Sequence, residues 1–489
     1  MMILQYCLIL PLLSAFLVWL SPFKLIGLIH RLCAVFTAAA LLCAVLQVYK
    51  NGTLFAYGEF FALDSLGAAF LFLVSLTGVF TQLYAPTYLK WEVEDSHITP
   101  KALKTNLTLS HLAVFAMVLT CLANNIGVMW AAVEATTLAT VFMVVVANDK
   151  KSLESGYKYI VICSVGLAFA LFAVIFLYLA EFNALGEKSS FLFSNLVKTA
   201  AVLDENLMKI VFVFALVGFG TKAGLVPTHT WLPDAHAQGP APTSAMLSGI
   251  VLKVAMLALI RFYALTLQAS GAEFVEVLMT ISGLLTIFVA AFFLIRQHDV
   301  KRMFAYHSIA HMGVAAFALG VGGAVGIMAG IFHCLAHSFT KALAFLTTGN
   351  IAHIYGTKDM RKMGGMIKVA PLTAILFGAS ICSLVGVPAF AIFVSEFLAF
   401  KAAILNNQLI IAALFAIGLA IIFVADFSHF FLASFGEKIT PQEGEVRKVS
   451  LTQQLPLIAL AALMVSFGLY HFECFWTLVE RSADLIKGF

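Results

Sequence analysis

Charged and titratable side chains stand in this chain at positions where nearly everything around them is apolar. Glu134 sits in Val128-Met-Trp-Ala-Ala-Val-Glu134-Ala-Thr-Thr, Lys222 in Gly218-Phe-Gly-Thr-Lys222-Ala-Gly, and Lys253 in Leu247-Ser-Gly-Ile-Val-Leu-Lys253. Further along come His333, His337 and Lys341 in Ile331-Phe-His-Cys-Leu-Ala-His-Ser-Phe-Thr-Lys341, and Glu396 in Phe393-Val-Ser-Glu396-Phe. His311, Arg261, Asp426 and His429 complete the set. A lysine in such surroundings loses pKa to desolvation and regains it beside a carboxylate. If the Glu134–Lys222 separation changes with conformation, the lysine loads and releases a proton near neutral pH. A static ion pair locking two helices is the plainer alternative. The number of further protonatable groups in series favours the proton-carrying reading.

His333, His337 and Lys341 recur at i, i+4 and i+8, so they share one helical face. Histidine, whose ordinary pKa is about 6.5, suits a proton relay. A histidine pair at i, i+4 also suits zinc, but no acidic third ligand stands beside it and the glutamate of an HExxH arrangement is missing. No metal is therefore expected. Glu396 reads as the exit group of the series. His311 reads equally as a relay member or as a hydrogen-bonded structural histidine, and Arg261, Asp426 and His429 as residues near helix ends that reach the interface.

The elements that must hold these residues are membrane helices. Hydrophobic residues make up 62% of the 489 and charged residues 11%, far from the composition of a soluble domain. Each ionised group near a bilayer centre costs at least about 2.5–3.5 kcal/mol, so these residues must face a bundle interior and pair with one another. Apolar runs leave room for about 14 spanning helices at about 20 residues each. The fold class is thus an all-α polytopic membrane protein, a single membrane domain over 1–489. The first run, Met1–Leu20, lacks a basic n-region and a cleavage site and reads as a retained helix. The eight cysteines are scattered singly, with no CxxC pair and no cluster-binding run, so they read as buried inert thiols and this chain as carrying no electrons. The chain shows no soluble domain, and no nucleic-acid partner is expected.

Two apolar segments are interrupted alike, one by Pro227 with Pro233 following, the other by Pro388 in Val385-Gly-Val-Pro388-Ala. Proline removes a backbone donor and clashes with the preceding turn, so both predict broken helices. After three N-terminal helices in 1–107, blocks at 108–268 and 273–432 each accommodate five helices, followed by one more at 453–474. An odd-numbered repeat has inverted topology, which places ion sites at broken helices near the midplane. The stretch from His229 to Pro242 reads either as a half-helix lining a water path or as a rigid connector with Asp234 as a cap. Lys24, Arg31, Lys90, Lys101, Lys104, Lys150, Lys151, Lys158, Arg296, Lys301, Arg302, Lys358, Arg361, Lys362, Lys368, Lys438, Arg447 and Lys448 fall in one set of alternate loops and outnumber Lys50, Lys188, Lys198, Lys209, Lys401, Arg481 and Lys487 in the other. The richer set marks the cytoplasm, and an even helix count then puts both termini in the periplasm of a bacterial inner membrane.

The run Lys222-Ala-Gly-Leu-Val-Pro-Thr-His-Thr-Trp-Leu-Pro-Asp-Ala-His, with Ala-Pro-Thr-Ser-Ala and Lys253 after it, resembles the antiporter-like membrane subunits of respiratory complex I, Mrp antiporters and membrane-bound hydrogenases. Lys301-Arg-Met-Phe-Ala-Tyr-His-Ser-Ile-Ala-His-Met-Gly and His337-Ser-Phe-Thr-Lys-Ala-Leu-Ala-Phe are similar to the same family. Val133-Glu-Ala-Thr-Thr-Leu-Ala and Asp149-Lys-Lys-Ser-Leu-Glu are most similar to the component F branch of the hydrogenase-4, formate-hydrogenlyase-type complexes. The resemblance implies a 14-helix core with two inverted five-helix repeats. It also implies a proton path with Glu134 and Lys222 as coupling pair, Lys253 as central relay and Glu396 as terminal group, where some family members carry lysine. A long C-terminal amphipathic helix, found on the most distal complex I subunit, is not expected after Phe472. The implied partners are other membrane subunits and a peripheral arm holding nickel–iron and iron–sulfur centres, with no cofactor in this chain. The competing readings are a sodium/proton antiporter of Mrp type, a complex I antiporter-like subunit, and a scaffold with a vestigial path.

Overall fold

In the computed structural model, which describes residues 2–437 and 449–488, helix follows helix. Six long ones come first: α1 (Met2–Leu20), α2 (Ile26–Asn51), α3 (Ser65–Glu94), α4 (Pro100–Leu122), α5 (Ile126–Val144) and α6 (Lys150–Leu185). The short α7 (Phe193–Thr199) leads to α8 (Glu205–Ala223) and the half-helix α9 (Trp231–Gln238). Then come α10 (Ala241–Met246), α11 (Leu252–Ser270), α12 (Ala272–Ile295), α13 (Val300–Val321) and α14 (Gly323–Tyr355). A short α15 (Met366–Val369) precedes α16 (Pro371–Leu384), α17 (Ala391–Leu405), α18 (Leu409–Phe435), α19 (Leu451–Leu469) and α20 (Glu473–Lys487). Among the described residues 13 helical segments are long and apolar enough to cross a membrane, counting α10 and α11 as one continuous span. Helix α16 is apolar but, at 14 residues, shorter than these. Lys438, Arg447 and Lys448 lie outside the described residues.

Polar residues between the apolar runs start the helices. Asp64, Thr99, Asn125, Asp149 and Asp204 each accept a backbone N–H from the first turn of α3, α4, α5, α6 and α8, satisfying donors that the helix leaves orphaned. Close approach between helices relies on glycine. A Cβ on Gly218 of α8 would fall 2.4 Å from the backbone N of Ala170 in α6, and one on Gly283 of α12 would fall 2.5 Å from that of Phe317 in α13. Small residues let backbones meet where lipid gives no hydrophobic drive for association.

Burial sorts the helices. The apolar windows of the α10–α11 span and of α13 are 94% buried and that of α14 78%, against 33% for α1, α18 and α19. The inner three carry Lys253, His311, His333, His337 and Lys341, so these sites are far from lipid.

Both proline-marked interruptions are real breaks. Helix α8 ends at Ala223 with Gly224 left-handed (φ 84°), and Pro227 lies in the gap before α9. Pro233 stands in the first turn of α9, where its missing N–H is an orphan anyway, so it opens the second half rather than breaking a helix. Pro388 lies in the gap between α16 and α17. Several details depart from the sequence reading. Within the all-α architecture, Leu54–Ala56 and Phe61–Leu63 pair antiparallel as a small hairpin (β1, β2) turning through Tyr57, Gly58 and Glu59, all at positive φ. The polar segment after Phe472 is itself a helix, α20, packed on α3, α11 and α14. Of the cysteines, all free, Cys43 is exposed and Cys382 and Cys474 are partly so, because their apolar helices present those faces outward.

Candidate functional site

Glu134 projects from the middle of α5, and Lys222 lies one residue before the end of α8. They do not form a direct ion pair. Thr137 Oγ1 stands between them: it donates to Glu134 Oε2 at 3.3 Å and accepts from Lys222 Nζ at 2.9 Å. The other carboxylate oxygen of Glu134 accepts from Ser164 Oγ at 2.9 Å. Lys222, 0% exposed, donates also to Tyr159 OH at 2.7 Å, and that hydroxyl contacts Thr140 Oγ1 at 2.7 Å. Since Thr140 already donates to Thr136 O, the tyrosine donates to Thr140. The Tyr159 and Trp231 rings stack at 4.6 Å beside the ammonium, whose charge rests on its bonds to Thr137 and the tyrosine hydroxyl. Trp231, in the first turn of α9, donates its indole N–H to Thr221 O, clasping the two halves of the broken helix.

Lys253 follows a π-helical turn, Leu247–Val251, that joins α10 to α11. Such turns release carbonyls from the regular ladder and cluster at functional sites. Lys253 Nζ donates to Ser248 O, and Ser338 Oγ donates to Gly249 O at 2.5 Å. From the same turn Ser248 Oγ meets Ser308 Oγ at 2.7 Å, Ser308 donates to Phe304 O, and Lys341 Nζ donates to that same carbonyl. Lys253 and Lys341 are thus joined by a short polar chain through α13. No hydrogen bond joins Lys253 to Lys222.

Beyond Lys341 the histidines converge. His333 Nδ1 lies 2.8 Å from Ser395 Oγ, and Ser395 itself donates to Ile392 O, so His333 carries its proton on Nδ1. Its Nε2 then accepts from His311 Nδ1 at 3.2 Å. His311 Nδ1 is also 4.0 Å from Glu396 Oε1, and the rings of His311 and His337 are 4.8 Å apart. His311 is therefore a member of the cluster rather than an isolated structural histidine. His311 Nε2, both nitrogens of His337 and Glu396 Oε1 are buried without a protein partner. Polar atoms in such positions are normally satisfied by internal water, which is what a proton relay requires.

Sequence reasoning misplaced or missed several residues. Asp426 is not at an interface: it is fully buried and meets His307 Nε2 at 2.6 Å. The His307 ring lies 6.0 Å from that of His311, which extends the cluster toward α18. His307 belongs to the Tyr306-His-Ser run, and its i, i+4 relation to His311 is the signal in the sequence that could reveal it. Arg261 is also buried, 3.0 Å from Asp64 and over the Phe193 ring at 4.3 Å, because it stands in the middle of α11, where the starts of α3 and α7 cover it. His429 Nε2 does reach a backbone carbonyl, Leu294 O at 3.3 Å. Asp234 caps nothing; it pairs with Lys158 Nζ at 2.9 Å and with Arg302, tying α9 to α6 and α13. Lys301 is only 2% exposed and donates to Gly239 O at 2.6 Å, so it is not a loop charge. A second histidine pair, His30 Nδ1 with His111 Nε2 at 3.0 Å, is closed by Gln82 between α2, α3 and α4 and had no counterpart in the sequence reading.

Comparison with known proteins identifies the family and the fold. The family described as NADH:quinone oxidoreductase/Mrp antiporter, transmembrane, matches residues 123–422. A hydrogenase-4 component F homolog of Methylacidiphilum infernorum is 36% identical over 416 residues, covering 84% of this chain and 86% of that protein. One subunit of a Na(+)/H(+) antiporter from Alkalihalophilus pseudofirmus is 31% identical, over 68% of this chain and 66% of its own length. Among solved structures, an archaeal membrane-bound sulfane sulfur reductase, a respiratory membrane complex, contains a chain of the same fold. Its TM-score is 0.87 at 24% identity, with 100% of this chain and 98% of that chain covered.

Proposed function

Since the chain belongs to the NADH:quinone oxidoreductase/Mrp antiporter membrane family, we propose that it is the proton-translocating, antiporter-like subunit of a membrane-bound hydrogenase of formate-hydrogenlyase type. The observation that carries the reading is the Glu134–Thr137–Lys222 bridge at the broken α8–α9 element. A lysine held to a carboxylate through one hydroxyl can tighten or loosen that contact with small helix movements, and its proton affinity follows. Lys253, Lys341, His337, His333 and His311 then pass the proton toward Glu396, with His307 and Asp426 beside them. In this reading the two interrupted elements, each the fourth spanning element of its block, are equivalent parts of two inverted five-helix repeats at 108–268 and 273–432.

The redox centres, nickel–iron and iron–sulfur, belong to partner subunits of a peripheral arm, and this chain supplies the ion path alone. The Lys/Arg-rich face is the cytoplasmic one, and both termini are periplasmic. The 36% identity to a hydrogenase-4 component F homolog supports the hydrogenase assignment. The sodium/proton antiporter alternative draws on the 31% identity to the Na(+)/H(+) antiporter protein. The test is the intact complex in proteoliposomes, following hydrogen turnover and proton translocation together. Lys222→Met is expected to lower protons moved per hydrogen at least tenfold. Unchanged translocation in that variant refutes the reading, and sodium-dependent proton exchange without any electron donor moves the assignment to the antiporter.

A further inference from the structure

The path from Lys222 to Glu396 begins inside the molecule. On the face bearing the Lys/Arg-rich loops, a cavity of about 790 Å³ opens between the ends of α3, α9 and α14 and the first turn of α13. At its wall His353, from the last turn of α14, lies between two carboxylates, with Nε2 3.3 Å from Glu92 and Nδ1 3.6 Å from Asp95. Its side chain is 5% exposed, and the rings of Tyr88 and Trp91 close on it edge-on at 4.9 Å each. Nε2 has no aligned hydrogen-bond partner despite the nearness of Glu92. His97 Nδ1 approaches the other Glu92 oxygen at 3.0 Å. Glu92 is therefore addressed by an imidazole from each side, the chemistry of proton exchange.

The buried Lys301 also borders this cavity, its ammonium on the carbonyl of Gly239 at the end of α9. Three residues back lies His236, fully buried and stacked on Phe345 at 4.7 Å, with neither ring nitrogen partnered. The same Phe345 ring lies against Lys341, whose Nζ is 4.8 Å from its centroid. A line of titratable groups thus runs from solvent to the central lysines. Glu94, Asp149 and Lys358 stand on the outer wall and set the field at the mouth.

We propose that the Glu92–His353–Asp95 cluster, with Lys301 and His236 behind it, is the proton-loading station of this subunit, taking protons from the Lys/Arg-rich face and delivering them to Lys341 and Lys253. It rests on the proton-translocating reading above and names where that path fills. Within the cluster a proton moves from water to the Glu92 carboxylate or the His353 imidazole and onward to an amine, with no bond other than N–H and O–H made or broken. A bound cation would need several oxygens converging at one point. Here carboxylates alternate with imidazoles, which favours the proton.

The experiment uses the intact complex in proteoliposomes, with Glu92→Gln, His353→Gln and the rim variant Asp95→Asn, and Lys222→Met as reference. Hydrogen turnover reports assembly. Proton supply limits a loading station when protons are scarce. Glu92→Gln and His353→Gln should therefore translocate at least fivefold more slowly than the unaltered protein at pH 8.5 and nearly equally at pH 6. A tenfold higher concentration of an impermeant zwitterionic buffer should restore most of the loss at pH 8.5, and Asp95→Asn should show the same pattern more weakly. Variants unaffected at pH 8.5, beside a Lys222→Met that has lost translocation, overturn the loading station and leave the general reading standing. An equal loss at every pH without buffer rescue makes the cluster structural and also overturns it. If Lys222→Met still pumps, the general reading fails first. Should Glu92→Gln or His353→Gln fail to assemble, Asp95→Asn decides by the same pH and buffer criteria.

Discussion

Thr137 links the two charges whose coupling the mechanism needs, and its hydroxyl has only one hydrogen to give. That hydrogen goes to Glu134 while the oxygen receives the Lys222 ammonium. Replacing Thr137 by valine keeps shape and volume but removes both contacts. A hydrogen bond to a charged group is worth about 1.5–3 kcal/mol, so Thr137→Val should slow proton translocation roughly ten- to a hundredfold, with the complex still assembled. Thr137→Ser should retain most of the rate. A valine variant that pumps normally would mean that Glu134 and Lys222 communicate by another route. Glu134 and Lys222 were legible in the sequence because a charge in an apolar run is costly enough to demand a task. Thr137, Tyr159 and Ser308 were not, because hydroxyls occur throughout membrane helices at little cost. Only the helix register shows which of them touches a lysine. Asp426 failed for a related reason: its place in a long apolar run was visible, but the partner that brings it inward, His307, comes from a helix more than a hundred residues earlier.

Helix ends and interruptions form the next level, and here proline, glycine and capping residues made much of the plan readable. Pro227 and Pro388 both mark true gaps, and the polar caps fall where the apolar runs begin. The half-helix α9, the amphipathic α20 and the β1–β2 hairpin were not readable in the same way, since each is short and held by neighbours rather than by its own period. One glycine at a break bears on function. Gly386, in the gap between α16 and α17, has φ +69°, and a Cβ there would come within 2.2 Å of Glu396 Oε2. A left-handed alanine costs about 1–2 kcal/mol, and the methyl must also displace the carboxylate. Gly386→Ala is therefore expected to move Glu396 away from His311 and to reduce translocation, more than the backbone cost alone would suggest. Adding Glu396→Asp, whose carboxylate is shorter by one methylene, separates the two effects. It relieves the steric clash but leaves the backbone strain, so the melting temperature should stay low while the His311 contact is still lost. A density map showing Glu396 unmoved in Gly386→Ala would contradict the steric argument.

At the scale of the whole molecule, the family match covers 123–422, while α1, α2, α3 and all of α4 precede it. Their attachment to the matched core rests on a few buried polar ties as well as on packing. The strongest is Asp64 with Arg261, at 3.0 Å, joining the start of α3 to α11 with both side chains less than a tenth exposed. Charges buried in this way stabilise little relative to apolar residues of similar size. Removing one partner alone leaves the other uncompensated, at a cost of about 3–5 kcal/mol. Arg261→Met should accordingly lower the melting temperature in detergent by several degrees and loosen the N-terminal helices, which protease sensitivity in the 52–64 connection would report. Asp64 has a second task, because Oδ1 accepts the Gly67 N–H at 2.6 Å as the cap of α3. The matched repair is therefore Asp64→Asn with Arg261→Met, which withdraws both charges and keeps the cap acceptor. Asp64→Leu with Arg261→Met should recover less, by about the 1 kcal/mol that a lost cap costs. If Arg261→Met melts like the unaltered protein, the tie is not what holds the N-terminal helices, and the packing of α3 against α14, α19 and α20 and of α4 against α5, with the remaining polar ties, must do so.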